Sequence, residues 1–171
     1  MEKQVKRKNI YQGKIIDVDV DEVVIEDGSQ SIREVVTHPG GVCIALKNEK
    51  NEYAMVNQYR YAQNKDMWEF PAGKLEKNED PTSAILREAQ EETGYDVKDL
   101  KALGKSIPSP GFLTEVVYLY SGNTNQFVGQ HLDEDEFLQL QWFTFDHIKE
   151  MILKGEIEDA KTIALAFKIM F

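Results

Sequence analysis

Between Gly73 and Tyr95 the chain reads GKLEKNEDPTSAILREAQEETGY, a stretch whose glycines, acids and helix signals leave little freedom in how it folds. Asp80 suits an N-cap, Pro81 suits the first helical position and Gly94 is placed to stop the helix, so the spacing predicts a helix from Pro81 to Thr93. At ~100° per residue, Glu88, Glu91 and Glu92 fall at i, i+3 and i+4 and share a face. Leu86 and Ala89 are expected on the other side, packing inward. Like charges at that spacing destabilise an isolated helix by ~0.2–0.5 kcal/mol per pair. A solvated acidic face is the plain explanation of the EAQEE segment, and a hard divalent cation bound by carboxylate oxygens is the other.

The wider pattern favours the cation. Gly73, Glu79, the pair Arg87-Glu88, the pair Glu91-Glu92 and Gly94 stand at the spacings of the Nudix box, and every charged and glycine position of that pattern is met. Ala89 and Tyr95 stand where branched aliphatic residues are more usual, a departure that touches packing and leaves the chemistry intact. The chain therefore resembles the Nudix hydrolase superfamily. Further segments narrow the resemblance to bacterial ADP-ribose pyrophosphatases: REVVTHPGGVCIAL, VNQYRY, MWEFPAGKLE, SPGFLTE, DEDEF and DAKT occur in the order seen there and span nearly the whole chain. Pro110, 16 residues after Gly94, is similar to a proline associated with that subfamily, and it also reads as an ordinary turn residue.

This resemblance implies an enzyme, a Nudix pyrophosphohydrolase that splits ADP-ribose into AMP and ribose 5-phosphate with Mg2+, or with Mn2+ in its place. Metal ligands would be Glu88, Glu91, Glu92 and the backbone carbonyl of Ala72, with Glu136 joining in a closed state. Glu91 and Glu92 would also count among the catalytic acids, and Glu134, from the acidic segment HLDEDEF, would orient or deprotonate the water. Arg33, Arg60, Glu69, Lys74 and Pro110 would serve the substrate, Arg33 by reaching across a dimer. For Arg60 an ion pair with a neighbouring acid is the alternative. Gly73, Glu79, Arg87 and Gly94 would be structural, with Arg87 bracing Glu79. Two other functions remain open: a Nudix hydrolase of another nucleoside diphosphate sugar, and a non-catalytic ADP-ribose-binding module.

Charge agrees with a metal-assisted reaction on an anion. The 171 residues carry 30 Asp and Glu against 20 Lys and Arg, a formal charge of −10, so a pyrophosphate is repelled unless cations intervene. The length and a 42% hydrophobic content allow one sizeable core with a small appended layer. Cys43, in the apolar run GVCIAL, has no partner for a disulfide and reads as a core residue in a reducing compartment. With no apolar run of ~20 residues and no signal-peptide core, the expected location is the cytoplasm, without membrane contact.

The fold expected is α/β, a Nudix α/β/α sandwich with a mixed sheet, preceded by a small antiparallel N-terminal sheet. Residues 1–40 form the extension, expected to be exchanged between subunits of a homodimer, and residues 41–171 the hydrolase domain. The basic N-terminus reads as a solvated edge strand rather than a nucleic-acid arm. Asp27-Gly28 marks a turn, and His38-Pro39-Gly40-Gly41 marks the boundary. Strands follow at Val42–Leu46, Tyr53–Tyr59, Leu103–Ile107, Glu115–Ser121 and Phe137–Phe143. Two C-terminal helices are expected to present Ile148, Met151 and Ile152, and then Ala160, Ile163, Ala164 and Phe167, at helical spacing. Trp68 reads as packing. His38, His131 and His147 form no ligand spacing.

Overall fold

The run Gly41–Lys47 organises the main sheet because it is apolar on both of its faces, which only a strand covered from both sides can satisfy. In the computed structural model, which describes residues 1–132 and 137–171, this run is strand β4. Two compact units are present, one of Met1–Gly40 with Ile107–Val116 and one of Gly41–Ser106 with Val117–Phe171.

The first unit is a three-stranded antiparallel sheet of β1 (Lys3–Gln12), β2 (Asp17–Val24) and β3 (Gln30–Thr37). β1 is exposed along its whole length, as its lysines require of an edge strand. Arg7 on it grips Asp21 of β2 through two hydrogen bonds, at 2.8 and 2.7 Å. Gly28, at φ 86°, makes the turn between β2 and β3. The segment 107–116 joins this unit: Val36 donates to the Phe112 carbonyl at 2.7 Å and Thr114 to the Val36 carbonyl at 2.9 Å. Pro110 lies in a turn closed by the Leu113 amide on the Ser109 carbonyl.

The second unit is a seven-stranded mixed sheet between helices. β5 (Glu52–Arg60), β4, β9 (Val117–Phe127), β8 (Tyr95–Ser106) and β10 (Leu138–Thr144) run in the order β10-β5-β4-β9-β8, with β6 (Lys65–Glu69) on β5 and β7 (Ala72–Lys74) on β4. Among the described residues the β4–β9 pairing of this sheet is parallel and the others are antiparallel. Alternation along β4 sends Val42, Ile44 and Leu46 to one core, with Ala84, Ile85 and Ala89 of α1 (Pro81–Thr93). Cys43 and Ala45 point to the other core, with Ile148 and Met151 of α2 (Phe145–Lys154) and Leu165 of α3 (Ala160–Ile169). The result is the α/β/α sandwich expected. Trp68 packs edge-on against Phe143 at 5.2 Å in the α2/α3 core, a packing role.

Several expectations need correction. Leu86 is 40% exposed, because the buried stripe of α1 runs through Ile85 and Ala89 and Leu86 stands ~100° round from Ile85. On α3 the buried residues are Thr162, Leu165 and Ala166, whereas Ile163 and Phe167 are exposed; the periodic apolar set borders the contact face instead of forming it. β8 starts at Tyr95, directly after α1, and its bulges hid its length. β9 begins at Val117 and continues to Phe127, and β10 begins at Leu138, where its pairing with β5 starts.

Candidate metal and pyrophosphate site

The helix α1 is built as its ends demand. The Asp80 carboxylate accepts the amides of Thr82 and Ser83, both at 3.0 Å, and Gly94 closes the other end in the left-handed region at φ 78°. Behind it the loop from β7 is fixed to the helix by Arg87. Its Nε donates to Glu79 Oε1 at 3.0 Å and its Nη2 to Oε2 at 3.1 Å. The Arg87 hydrogen bond holds the Glu79 carboxyl below the usual carboxylate range, and Glu79 in turn raises the guanidinium.

The same guanidinium organises two of the acids. Arg87 Nη1 lies 3.0 Å from Glu88 Oε1 and 2.9 Å from Glu91 Oε2, so one positive centre stands between them. Glu88 turns toward β7: a Cβ placed on Gly73 would come within 1.8 Å of its carboxyl carbon, which explains the glycine. Glu92 is 2% exposed, and its Oε2 accepts the Ala72 amide at 2.9 Å. The structure thus brings Ala72, Gly73, Glu88, Glu91 and Glu92 into one neighbourhood, while Lys74 lends its carbonyl to Arg87 Nη2 at 3.5 Å.

Among the described residues no three His, Cys, Asp or Glu side chains converge tightly enough to enclose a metal ion unaided. The donor set nevertheless fits a hard cation that keeps part of its water. Mg2+ is commonly held by one or two carboxylates plus substrate phosphates rather than by a full protein cage. Glu88 and Glu91 supply such oxygens, and the space left by the missing side chain of Gly73 gives Glu88 its position.

A second charged group adjoins this one. Glu69, 2% exposed at the end of β6, accepts Arg60 Nε at 2.6 Å and Arg60 Nη2 at 2.7 Å, and also binds the ammonium of Lys161 on α3. Lys161 is shared with Asp159 at 3.0 Å, and Asp159 caps α3 through the Thr162 amide. Burial pushes the Glu69 carboxyl up, but Arg60 and Lys161 outweigh it and leave it below its ordinary value. Lys161 is lowered by burial and raised more by Glu69 and Asp159. The Glu92 charge reaches Arg60 and helps hold it protonated. Arg60 therefore forms the ion pair that the sequence left open, while its Nη1 makes no hydrogen bond among the described residues.

Arg33 and Pro110 lie in the first unit, where Arg33 pairs with Glu2 at 2.5 Å. Glu134 and Glu136 lie outside the described residues. The chain entering that segment is anchored on α1, with the His131 amide donating to the Glu91 carbonyl at 3.1 Å and Gln130 Nε2 to the Glu92 carbonyl at 2.6 Å. Sequence reasoning missed Lys161, which lies 92 residues from Glu69; the DAKT segment was its only signal.

Residues 37–166 match the family model of the NUDIX domain. The chain belongs to the Nudix family. It is 40% identical to the methanol dehydrogenase activator of Bacillus methanolicus over 95% of this chain and 89% of that one. To the ADP-ribose pyrophosphatase of Bacillus subtilis (strain 168) it is 37% identical, over 94% of this chain and 88% of the relative. A crystal structure of an ADP compounds hydrolase superposes with a TM-score of 0.86 over 99% of this chain and 92% of that one; at 15% identity this likeness establishes the Nudix fold. Nudix hydrolases generally use divalent metal ions, and α1 of this Nudix chain carries Glu88, Glu91 and Glu92. Among the described residues no helix is long and apolar enough to cross a membrane.

Proposed function

We propose that this Nudix protein hydrolyses the pyrophosphate bond of ADP-ribose to AMP and ribose 5-phosphate with Mg2+. The observation that carries the reading is the placement of Glu88, Glu91 and Glu92 around Ala72 and Gly73, with Arg87 between the first two. Glu88, Glu91, Glu92 and the Ala72 carbonyl would hold the metal, with Glu136 as a further ligand. When bound, Mg2+ polarises the phosphoryl group and lowers the pKa of an attacking water. Mn2+ has the same oxygen preference and would substitute.

The chain's own residues do the rest. Glu134 takes the proton of the water as its oxygen bonds to phosphorus and the bridging oxygen departs. Gln130 and His131, three and two residues before Asp133, are tethered to the Glu92 and Glu91 carbonyls of α1. Arg60 is held by Glu69 so that Nη1 can face a phosphate oxygen, a geometry suited to a guanidinium. Lys74 adds positive charge at the edge of β7. Arg33 contributes to the adenine side and Pro110 to substrate binding in a homodimer whose N-terminal sheets are exchanged, and the exposed Val5, Ile10 and Ile32 of that sheet are apolar surface for a partner. With Cys43 buried and unpaired, its thiol pushed up by burial, the cytoplasm suits the chain.

The test is a substrate panel in Mg2+: ADP-ribose, ADP-glucose, diadenosine polyphosphate and NADH, compared by kcat/KM. The proposal requires AMP release from ADP-ribose to lead. A lead for another nucleoside diphosphate sugar moves the substrate assignment, and ADP-ribose binding without turnover makes the chain a binding module.

A further inference from the structure

On the opposite side of the seven-stranded sheet from α1, a pocket of about 480 Å3 opens between β4, β8, β9 and the end of α3. Its side is fixed by Ala45, which lines it and belongs to the α2/α3 core, whereas Ile44 and Leu46 face α1. Lys47, Lys101 and Lys168 line the pocket, with Asp99 as its one acid. Lys47 stands opposite Asn123 across the β4–β9 pairing and Lys101 opposite Ser121 across the β8–β9 pairing, so the two lysines flank the same two turns of the pleat. Lys168 Nζ comes from α3 and lies 3.6 Å from where a Cβ on Gly104 would be.

Two features bear on what this pocket can hold. All four arginines of the chain are gripped by carboxylates, yet none of the three lysines has a hydrogen bond or ion pair among the described residues. Asp99, whose carboxylate accepts Asn123 Nδ2 at 3.1 Å, sets one negative charge against the three lysines and leaves the lining net positive. The backbone beneath is also specialised. β8 slips register against β9 on both sides of Lys101, with Asp99 at φ 53° and Gly104 at φ 93°. Bulges of this kind re-aim side chains beside sites, and a left-handed aspartate is strained backbone retained by its surroundings.

We propose that this pocket is a second anion site, separate from the metal acids, that takes a phosphate-bearing small molecule. On a chain of charge −10, three lysines lining one cavity create a local attraction for phosphate oxygens that the surface as a whole opposes. Lysine binds phosphate as a point charge, and the volume lies within the ~300–1,000 Å3 of small-molecule pockets. Leu103 offers an apolar wall for the organic part of the ligand.

The test uses the full chain, 15N-labelled and stripped of divalent metal, titrated with inorganic pyrophosphate and followed by NMR, a readout independent of hydrolysis. The amides of Lys101, Gly122 and Asn123 should shift together with one Kd. Lys101→Gln combined with Lys168→Gln should weaken that Kd by about a hundredfold, about tenfold for each charge-assisted contact. Glu92→Gln should leave it unchanged. Shifts confined to Gly73 and α1, no shift at the pocket up to about 10 mM, or equal affinity in the double variant would overturn the proposal, whatever the hydrolysis assays report.

Discussion

Arg87 and Glu79 are joined by two near-parallel hydrogen bonds, at 3.0 and 3.1 Å, and the guanidinium that makes them also stands within 3.0 Å of Glu88 and Glu91. One residue thereby fixes the loop after β7 to α1 and sets where two acids sit. Replacing it by lysine keeps the charge but removes the planar fork that reaches three carboxylates at once. Arg87→Lys is expected to lower metal-dependent hydrolysis by about 10- to 100-fold, the range for losing a partner that orients metal ligands. Steady-state kinetics across a Mg2+ titration would show the loss as a raised metal requirement.

Gly73→Ala tests the space that Glu88 occupies. The added Cβ would meet the Glu88 carboxyl at 1.8 Å, so the acid must swing away from β7. Overpacking of this kind costs about 1–3 kcal/mol. Mn2+ binding followed by electron paramagnetic resonance is expected to weaken more than thermal stability falls, because the displaced carboxyl belongs to a proposed ligand.

The Glu69 network predicts a pH window for stability. Glu69 is held below its ordinary value of 4.5, so its contribution is present above that pH and is lost as pH falls through the lower folded value. Lys161 is held above its ordinary value of 10.5, so its contribution is present below that pH and is lost as pH rises through the higher folded value. Glu69→Gln is expected to cost about 3 kcal/mol near neutrality, the low end for breaking a buried pair, since solvent screens the partly exposed Arg60. Urea unfolding at pH 7 and pH 3 would check it: the gap between wild type and variant should narrow at the acid end.

Asp80 caps α1 through two amides and touches none of the metal acids. Asp80→Ala should cost about 1 kcal/mol, a fall of about 2–4 °C in Tm for a chain of this size. Calorimetry would read it.

How far the sequence was legible depends on whether a feature is local. The α1 caps and the Gly28 turn are set by residues close in sequence and stand as expected, and the Arg87–Glu79 contact is itself made between residues close in sequence. The burial of β4 on both faces followed from a short apolar run between turn residues. The full length of β8 did not, because Asp99 and Gly104 interrupt its period with bulges. Leu86 and Phe167 show the limit of periodicity: it places apolar residues on a helix side, while the neighbouring sheet decides which edge of that side is covered. The Glu69–Lys161 contact joins β6 to α3 across 92 residues and carries no local signature.

The central claim is that the acids of α1 assemble a metal for attack on a diphosphate. Mg2+-dependent AMP release from ADP-ribose by wild type and by Glu92→Gln tests it most directly, because an amide at this buried position can still accept the Ala72 hydrogen bond while losing the charge. The account predicts a folded variant whose kcat/KM falls by at least about a hundredfold, about 2.7 kcal/mol of transition-state stabilisation. A folded Glu92→Gln variant with wild-type rates, or AMP release by the wild type that persists in excess chelator, would contradict it.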